Sequence, residues 1–74
     1  MVPLETAAHE DAPDEAALVG ALERLSPDDR ELLFLRFVAG RTHSEIGAIV
    51  RCSEAASKMR VSRAARRLRR VLDV

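Results

Sequence analysis

The chain has 74 residues, enough for one small domain and too few for two folding units. Apolar residues make up 47% of it but aromatics only 3%, so the core must be built from Leu, Val, Ile and Ala on helices, which favours an all-α bundle. The zero net charge hides a division: nine acids against three arginines up to Gly40, about −6, and nine bases against three acids from Arg41 onward, about +6. The single cysteine, Cys52, excludes an internal disulfide, and no stretch is apolar enough for a signal peptide or membrane span, so a cytoplasmic protein is the default expectation.

In chain order, residues 1–13 carry two prolines and several acids without apolar periodicity, and are expected to form a disordered leader or linker remnant ahead of a folded domain over 14–74. Asp14 and Glu15 suit the positive end of a first helix, along which Leu18, Leu22 and Leu25 form a stripe with Val19 beside it. Ser26-Pro27 ends that helix and starts a second over Pro27–Ala39, because Pro27 disfavours helical geometry in the residue before it yet fits the first helical position itself. Ser26 with Asp29 three residues on is a short-armed capping box, and Gly40 suits a left-handed closing residue. Leu32, Leu33, Phe34, Leu35, Phe37 and Val38 make this helix apolar over much of its circumference, so it is the central one.

Thr42 with Glu45 makes a full capping box for a short third helix whose inward face is Ile46, Ile49 and Val50. Gly47 costs roughly 1 kcal/mol relative to Ala in a helix interior, so two helix backbones are expected to approach closely there. Ser53 caps a fourth helix that no Pro or Gly interrupts. At about 100° per residue, Val61, Ala64, Ala65, Leu68, Val71 and Leu72 fall on one side of it and Arg60, Arg63, Arg66, Arg67 and Arg70 on the other. Two capped helices joined by a tight turn, the second bearing an arginine face free of acids until Asp73, form a C-terminal helix-turn-helix in a small four-helix domain.

These residues resemble region 4 of the bacterial sigma factors, particularly the extracytoplasmic-function type. The resemblance runs from about Ala17 to Leu72 through A-L-E-R-L-S-P-D-D-R-E-L-L-F-L-R-F, G-R-T-H-S-E-I-G and S-E-A-A-S-K-M-R-V-S-R-A-A-R-R-L. It implies a domain that reads the −35 promoter element with its last helix and docks its earlier helices on the flap of the RNA polymerase β subunit. Two positions depart from the usual family pattern. Arg51 stands where the family usually has Gly, and a left-handed arginine costs on the order of 1 kcal/mol. Ser57 replaces an aliphatic residue in the middle of the apolar face, so its hydroxyl either bonds back to the Ser53 carbonyl or is left without a partner. A working sigma factor also melts the −10 element, for which 74 residues leave no space; the chain is expected to be an excised domain, a fragment, or a stand-alone protein of altered use.

The groove-entering N-terminal turns of such a helix offer Glu54, Ala55, Ala56, Lys58, Met59 and Arg60, with Lys58 and Arg60 able to donate to guanine and Glu54 to accept from cytosine. Arg63, Arg66 and Arg67 are expected at phosphates or the groove edge. Arg41 and Thr42 fit phosphate at the start of the third helix, while Thr42 and Ser53 also have capping as a sufficient explanation. Leu33, Phe34, Phe37 and Val38 are either core or a patch left over for a partner, the polymerase flap or an anti-sigma protein. His9 and His43 lack companions at metal-ligand spacing, a solvent-exposed His43 and a small buried Cys52 being expected, and neither a catalytic constellation nor a cofactor motif is present. Two other readings stay open: a LuxR-type response-regulator output domain, which would bind DNA as a dimer where region 4 is a monomer, and a protein-interaction module whose basic helix meets an acidic surface. A membrane-surface helix is disfavoured because Ala and Val stand where large apolar side chains are needed.

Overall fold

The computed structural model describes residues 14–73, which form an all-α domain. Helix α1 spans Glu15–Arg24, α2 spans Pro27–Leu33 and continues as a π-helical turn over Phe34–Val38, α3 spans His43–Val50 and α4 spans Glu54–Asp73. The expected leader over residues 1–13 lies outside the described residues.

Local chemistry accounts for most boundaries. The Asp14 carboxylate accepts from the Ala17 amide at 2.6 Å and caps α1. Ser26 Oγ accepts from the Asp29 amide at 3.2 Å, with Pro27 in the first turn of α2. The expected reciprocal half of that capping box is missing, because the Asp29 carboxylate is engaged elsewhere. At α3 the box is complete: Glu45 N–H donates to Thr42 Oγ1 at 3.1 Å and Thr42 N–H to Glu45 Oε1 at 2.9 Å. Ser53 Oγ accepts from the Ala56 amide at 3.0 Å and caps α4.

The second helix departs from the uninterrupted α-helix expected over Pro27–Ala39. After Leu33 the register widens, the Ala39 amide donating to Phe34 O at 2.9 Å, and Gly40 at φ 69° closes the segment while Arg41 N–H returns to Leu35 O. A change from four-residue to five-residue hydrogen bonding leaves no mark in apolar periodicity over so short a segment.

The core is small and divided in two. Leu32, Ile46 and Val61 form one cluster, joining α2, α3 and the first half of α4, with Leu35 and Val50 against it. Leu25, Leu33 and Ala64 form the other, with Leu22, Ala65, Leu68 and Val71 joining α1 to the second half of α4. Adjacent residues of α2 therefore serve different clusters, and α4 is the spine to which both attach. Arg30 fastens the end of α1, its Nη1 donating to the carbonyls of Leu22, Glu23 and Leu25 at 3.4, 3.3 and 2.9 Å. A cation suits the carbonyl-rich end of a helix.

Gly47 makes its close approach to the turn rather than to another helix. A Cβ built on it lies 2.5 Å from the Cys52 carbonyl oxygen and 3.1 Å from that of Ser53. Arg51 is left-handed at φ 64°, ψ 53°, so the turn takes the strained conformation usually given to Gly. Ser57 is wholly buried and its hydroxyl has no hydrogen-bond partner, which decides between its two expected states. Ile49, expected inward, is half exposed, since α3 turns only Ile46 and Gly47 fully toward the core. His43 and Cys52 are half-buried, neither fully exposed nor fully covered as expected.

Candidate nucleic-acid interface

The cap at Ser53 starts α4 where the turn releases it, and 20 residues without a breaker carry it from the turn to its packing along α1. With Ser57, Val61 and Ala64 turned inward, the helical period puts Ala55, Met59, Ser62 and Arg66 on the outermost ridge, and all four are exposed. Met59 is 53% exposed, unusual for a large apolar side chain with no core role. Ser62 was absent from the sequence-based set, although the same angles that centre Ser57 on the buried face place it outside.

Lys58, Arg60 and Arg63 are exposed beside that ridge, and Glu54 and Ser53 at the helix start. Ala56 is half-buried beside the ridge, its amide held by Ser53. Arg63, Arg66, Arg67 and Arg70 surround a shallow cleft on the outer side of the second half of α4. Guanidinium groups gathered in this way carry the charge and the donors that phosphate oxygens accept. On the flank toward α2, a groove of about 430 Å³ sets Arg60, Arg63 and Arg67 across from Asp28, Asp29 and Glu31.

Arg67, expected at a phosphate or the groove edge, is exposed and also paired within the domain. Its Nη1 donates to both carboxylate oxygens of Asp29, at 2.8 and 2.9 Å. Asp29 has a local explanation at the start of α2, so nothing in the sequence marks a partner 38 residues away.

At the start of α3, Arg41 and Thr42 are exposed, and Arg36 Nη1 holds the Arg41 carbonyl at 3.0 Å. Thr42 and Glu45 occupy each other. The Thr42 backbone amide, donating to the Glu45 carboxylate, holds it below the usual carboxylate range; burial opposes the shift slightly, and the nearby Arg41 charge and the Thr42 hydroxyl add to it.

The second surface belongs to the π turn. Phe34, Phe37 and Val38 are 55%, 68% and 71% exposed and rim an apolar groove of about 450 Å³ floored by Leu18, Leu22, Leu33 and Leu68. Of the two states expected for Leu33, core or partner patch, it takes the first at 6% exposed, and it reaches the groove only as its floor. Among the described residues no three His, Cys, Asp or Glu side chains gather as a metal site, and no helix is long and apolar enough to cross a membrane.

The model of the family described as Sigma-70, region 4 matches residues 15–68, most of the chain. The chain belongs to the sigma-70 region 4 family. No curated protein and no solved structure gives a significant match. Region 4 is a DNA-binding regulatory domain of sigma factors rather than a known enzyme family, and the helix-turn-helix of this region 4 domain is α3, the Arg51–Ser53 turn and α4. The family match takes in the buried residues of both core clusters, all of α3 and α4 as far as Leu68.

Proposed function

We propose that this region 4 domain recognises a −35 promoter element as a monomer in the cytoplasm, laying α4 in the major groove while the Phe34–Phe37–Val38 rim docks on the flap of the RNA polymerase β subunit. The observation that carries the reading is the outer ridge of α4, where Ala55, Met59, Ser62 and Arg66 are exposed and flanked by Lys58, Arg60 and Arg63. Small and apolar side chains suit thymine methyl groups, the flanking cations suit guanine edges and phosphates, and Glu54 suits the cytosine amino group. Arg41 and Thr42 approach the backbone from the start of α3, and Ser53 does so from the start of α4 without leaving its cap. Continuity of α4 to Asp73 supports this over the LuxR-type alternative, which needs a separate last helix for pairing.

The apolar rim supports a protein partner as well as DNA, since so large an exposed apolar patch on a small domain marks a contact surface. An anti-sigma protein would compete for the same rim. The test is a salt-dependent titration against a randomised duplex library, followed by sequencing of the retained strands. Enrichment of a short non-palindromic site with affinity falling steeply in salt supports the reading. A palindrome favours a dimeric reader, and no retention leaves only the protein-facing surface. For that surface, Phe34→Glu and Phe37→Glu are expected to keep the helical fold and abolish association with polymerase; unchanged association in both removes the docking assignment.

A further inference from the structure

Asp29 is 7% exposed, and both its oxygens are taken by one guanidinium nitrogen of Arg67, the only ion pair among the described residues. The pair joins α2 to α4 across 38 residues of chain. Asp29 shares a face of α2 with Leu32 and Leu33, three and four residues on, and Arg67 stands one turn beyond Ala64 on α4. The contact therefore lies at the seam where α2 packs on α4, beside the junction of the two core clusters.

A carboxylate so far removed from water is tolerated because it is paired, and stripping away its partner strands the charge. A phosphate that captured Arg67 would leave Asp29 in that state. Moreover, a guanidinium matched by a carboxylate at 2.8 Å adds no net positive charge to the helix surface, whereas Arg63, Arg66 and Arg70 have no ion-pair partner among the described residues.

We propose that Arg67 is a positioning residue rather than a phosphate contact: held by Asp29, it fixes the rotation of α4 against α2 and so aims the Ala55–Met59–Ser62–Arg66 ridge at the base edges. The assignment rests on the DNA-reading function above and adds to it a link between the recognition helix and the helix that continues into the apolar rim. Arg67 thereby leaves the phosphate-contacting set, and Asp29, unremarkable in the sequence, enters the recognition machinery.

The test compares wild type, Arg67→Met, Arg67→Lys, Asp29→Asn and the Asp29→Asn/Arg67→Met double variant on the enriched duplex and a scrambled one over a range of salt. Arg67→Met is expected to leave the slope of log K against log salt unchanged while the ratio of specific to scrambled affinity falls about tenfold, the loss of one base contact. Asp29→Asn is expected to lose the same discrimination although it removes a negative charge, and the double variant to do no worse than Arg67→Met alone. A slope shallower by about 0.9 in Arg67→Met would make Arg67 a phosphate contact and overturn the proposal. So would unchanged or tighter specific binding by Asp29→Asn. Should Arg67→Met fail to fold, the comparison of Asp29→Asn with Arg67→Lys decides: the lysine ammonium can still pair with Asp29, so Arg67→Lys should keep more discrimination than Asp29→Asn, and the reverse order overturns the proposal. Wild-type protein that retains no duplex overturns the DNA reading and the aiming role with it. Additive melting shifts across the Asp29/Arg67 cycle, with DNA binding intact, overturn the positioning role alone.

Discussion

Replacing Gly47 by Ala tests the helix-turn-helix geometry directly, because the two effects of the change have opposite signs. In an unobstructed helix interior the substitution stabilises by about 1 kcal/mol, through backbone entropy. Here the new methyl group would sit 2.5 Å from the Cys52 carbonyl oxygen, 3.1 Å from Ser53 O and 3.2 Å from the Ser53 carbonyl carbon. These are backbone atoms of a turn pinned by the Arg51 and Cys52 amides, both donating to Gly47 O, the latter at 2.8 Å. Restoring ordinary contact requires the turn to retreat by about 0.9 Å, and Ser53, whose side chain caps α4, moves with it. Overpacking costs about 1–3 kcal/mol, and a contact this short with backbone atoms belongs in the upper half of that range, about 2–3 kcal/mol, so a net loss of about 1–2 kcal/mol is expected after the helix gain is subtracted. For a domain of this size that lowers Tm by about 5–15 °C. Gly20→Ala in α1 is the internal control, since a Cβ there meets nothing within 4 Å among the described residues, and it should raise Tm by a few degrees. Thermal unfolding followed by circular dichroism measures both. A Gly47→Ala protein that melts at or above the wild-type temperature would refute the close approach of turn and helix.

Three further outcomes follow from single residues. Ser57→Ala deletes a buried hydroxyl without a partner and should stabilise by about 1 kcal/mol, read as a higher urea midpoint at unchanged m value; a lower midpoint would mean the hydroxyl is satisfied. Arg51→Gly relieves the left-handed strain but adds unfolded-state freedom, so a net gain of about 0.5 kcal/mol is expected in the same experiment, and a loss would contradict the strain. Glu45 has a folded-state pKa below its unfolded one, so its contribution is present above the unfolded carboxylate pKa and fades as pH falls through the folded one. The Tm difference between wild type and Glu45→Gln should therefore close on acidification from neutral pH through the carboxylate range, and a difference that holds constant would dissociate the cap from the charge.

The features legible in the sequence are those whose cause lies within four residues. Ser26, Thr42 and Ser53 cap the helices they were expected to cap, and Gly40 and Arg51 take the left-handed positions that end segments. Each is a local hydrogen-bond or torsional demand. The apolar stripe of α4 was equally plain, because 20 residues of unbroken period leave little freedom in orientation. What stayed hidden depends on packing. The widened turn at Phe34–Val38 has ordinary helix-forming composition, Arg30 grips three carbonyls that carry no side-chain signature, and Asp29 already has a sufficient reason to stand in a first helical turn. In the candidate site, the helical period identified the exposed helix face but could not tell a free arginine from one neutralised by a distant carboxylate.

The placement of Leu32 and Leu33 ties these features together. Leu32 packs with Ile46 and Val61 beneath the helix-turn-helix and lines the groove that faces Arg60 and Arg63, whereas Leu33 packs with Leu25 and Ala64 and floors the apolar groove. The two grooves share no lining residue, yet adjacent backbone positions of α2 serve both. A rotation of α2 about its axis would swing the apolar rim and the seam with α4 together, since Phe34 follows Leu33 without a break. The Asp29–Arg67 contact resists that rotation at the start of α2, and the Arg41 amide bonded to Leu35 O closes its far end. A domain whose two core clusters are this small cannot rely on buried area alone to hold two surfaces in register. One ion pair at the seam and a closed π turn at the rim supply that constraint with few residues.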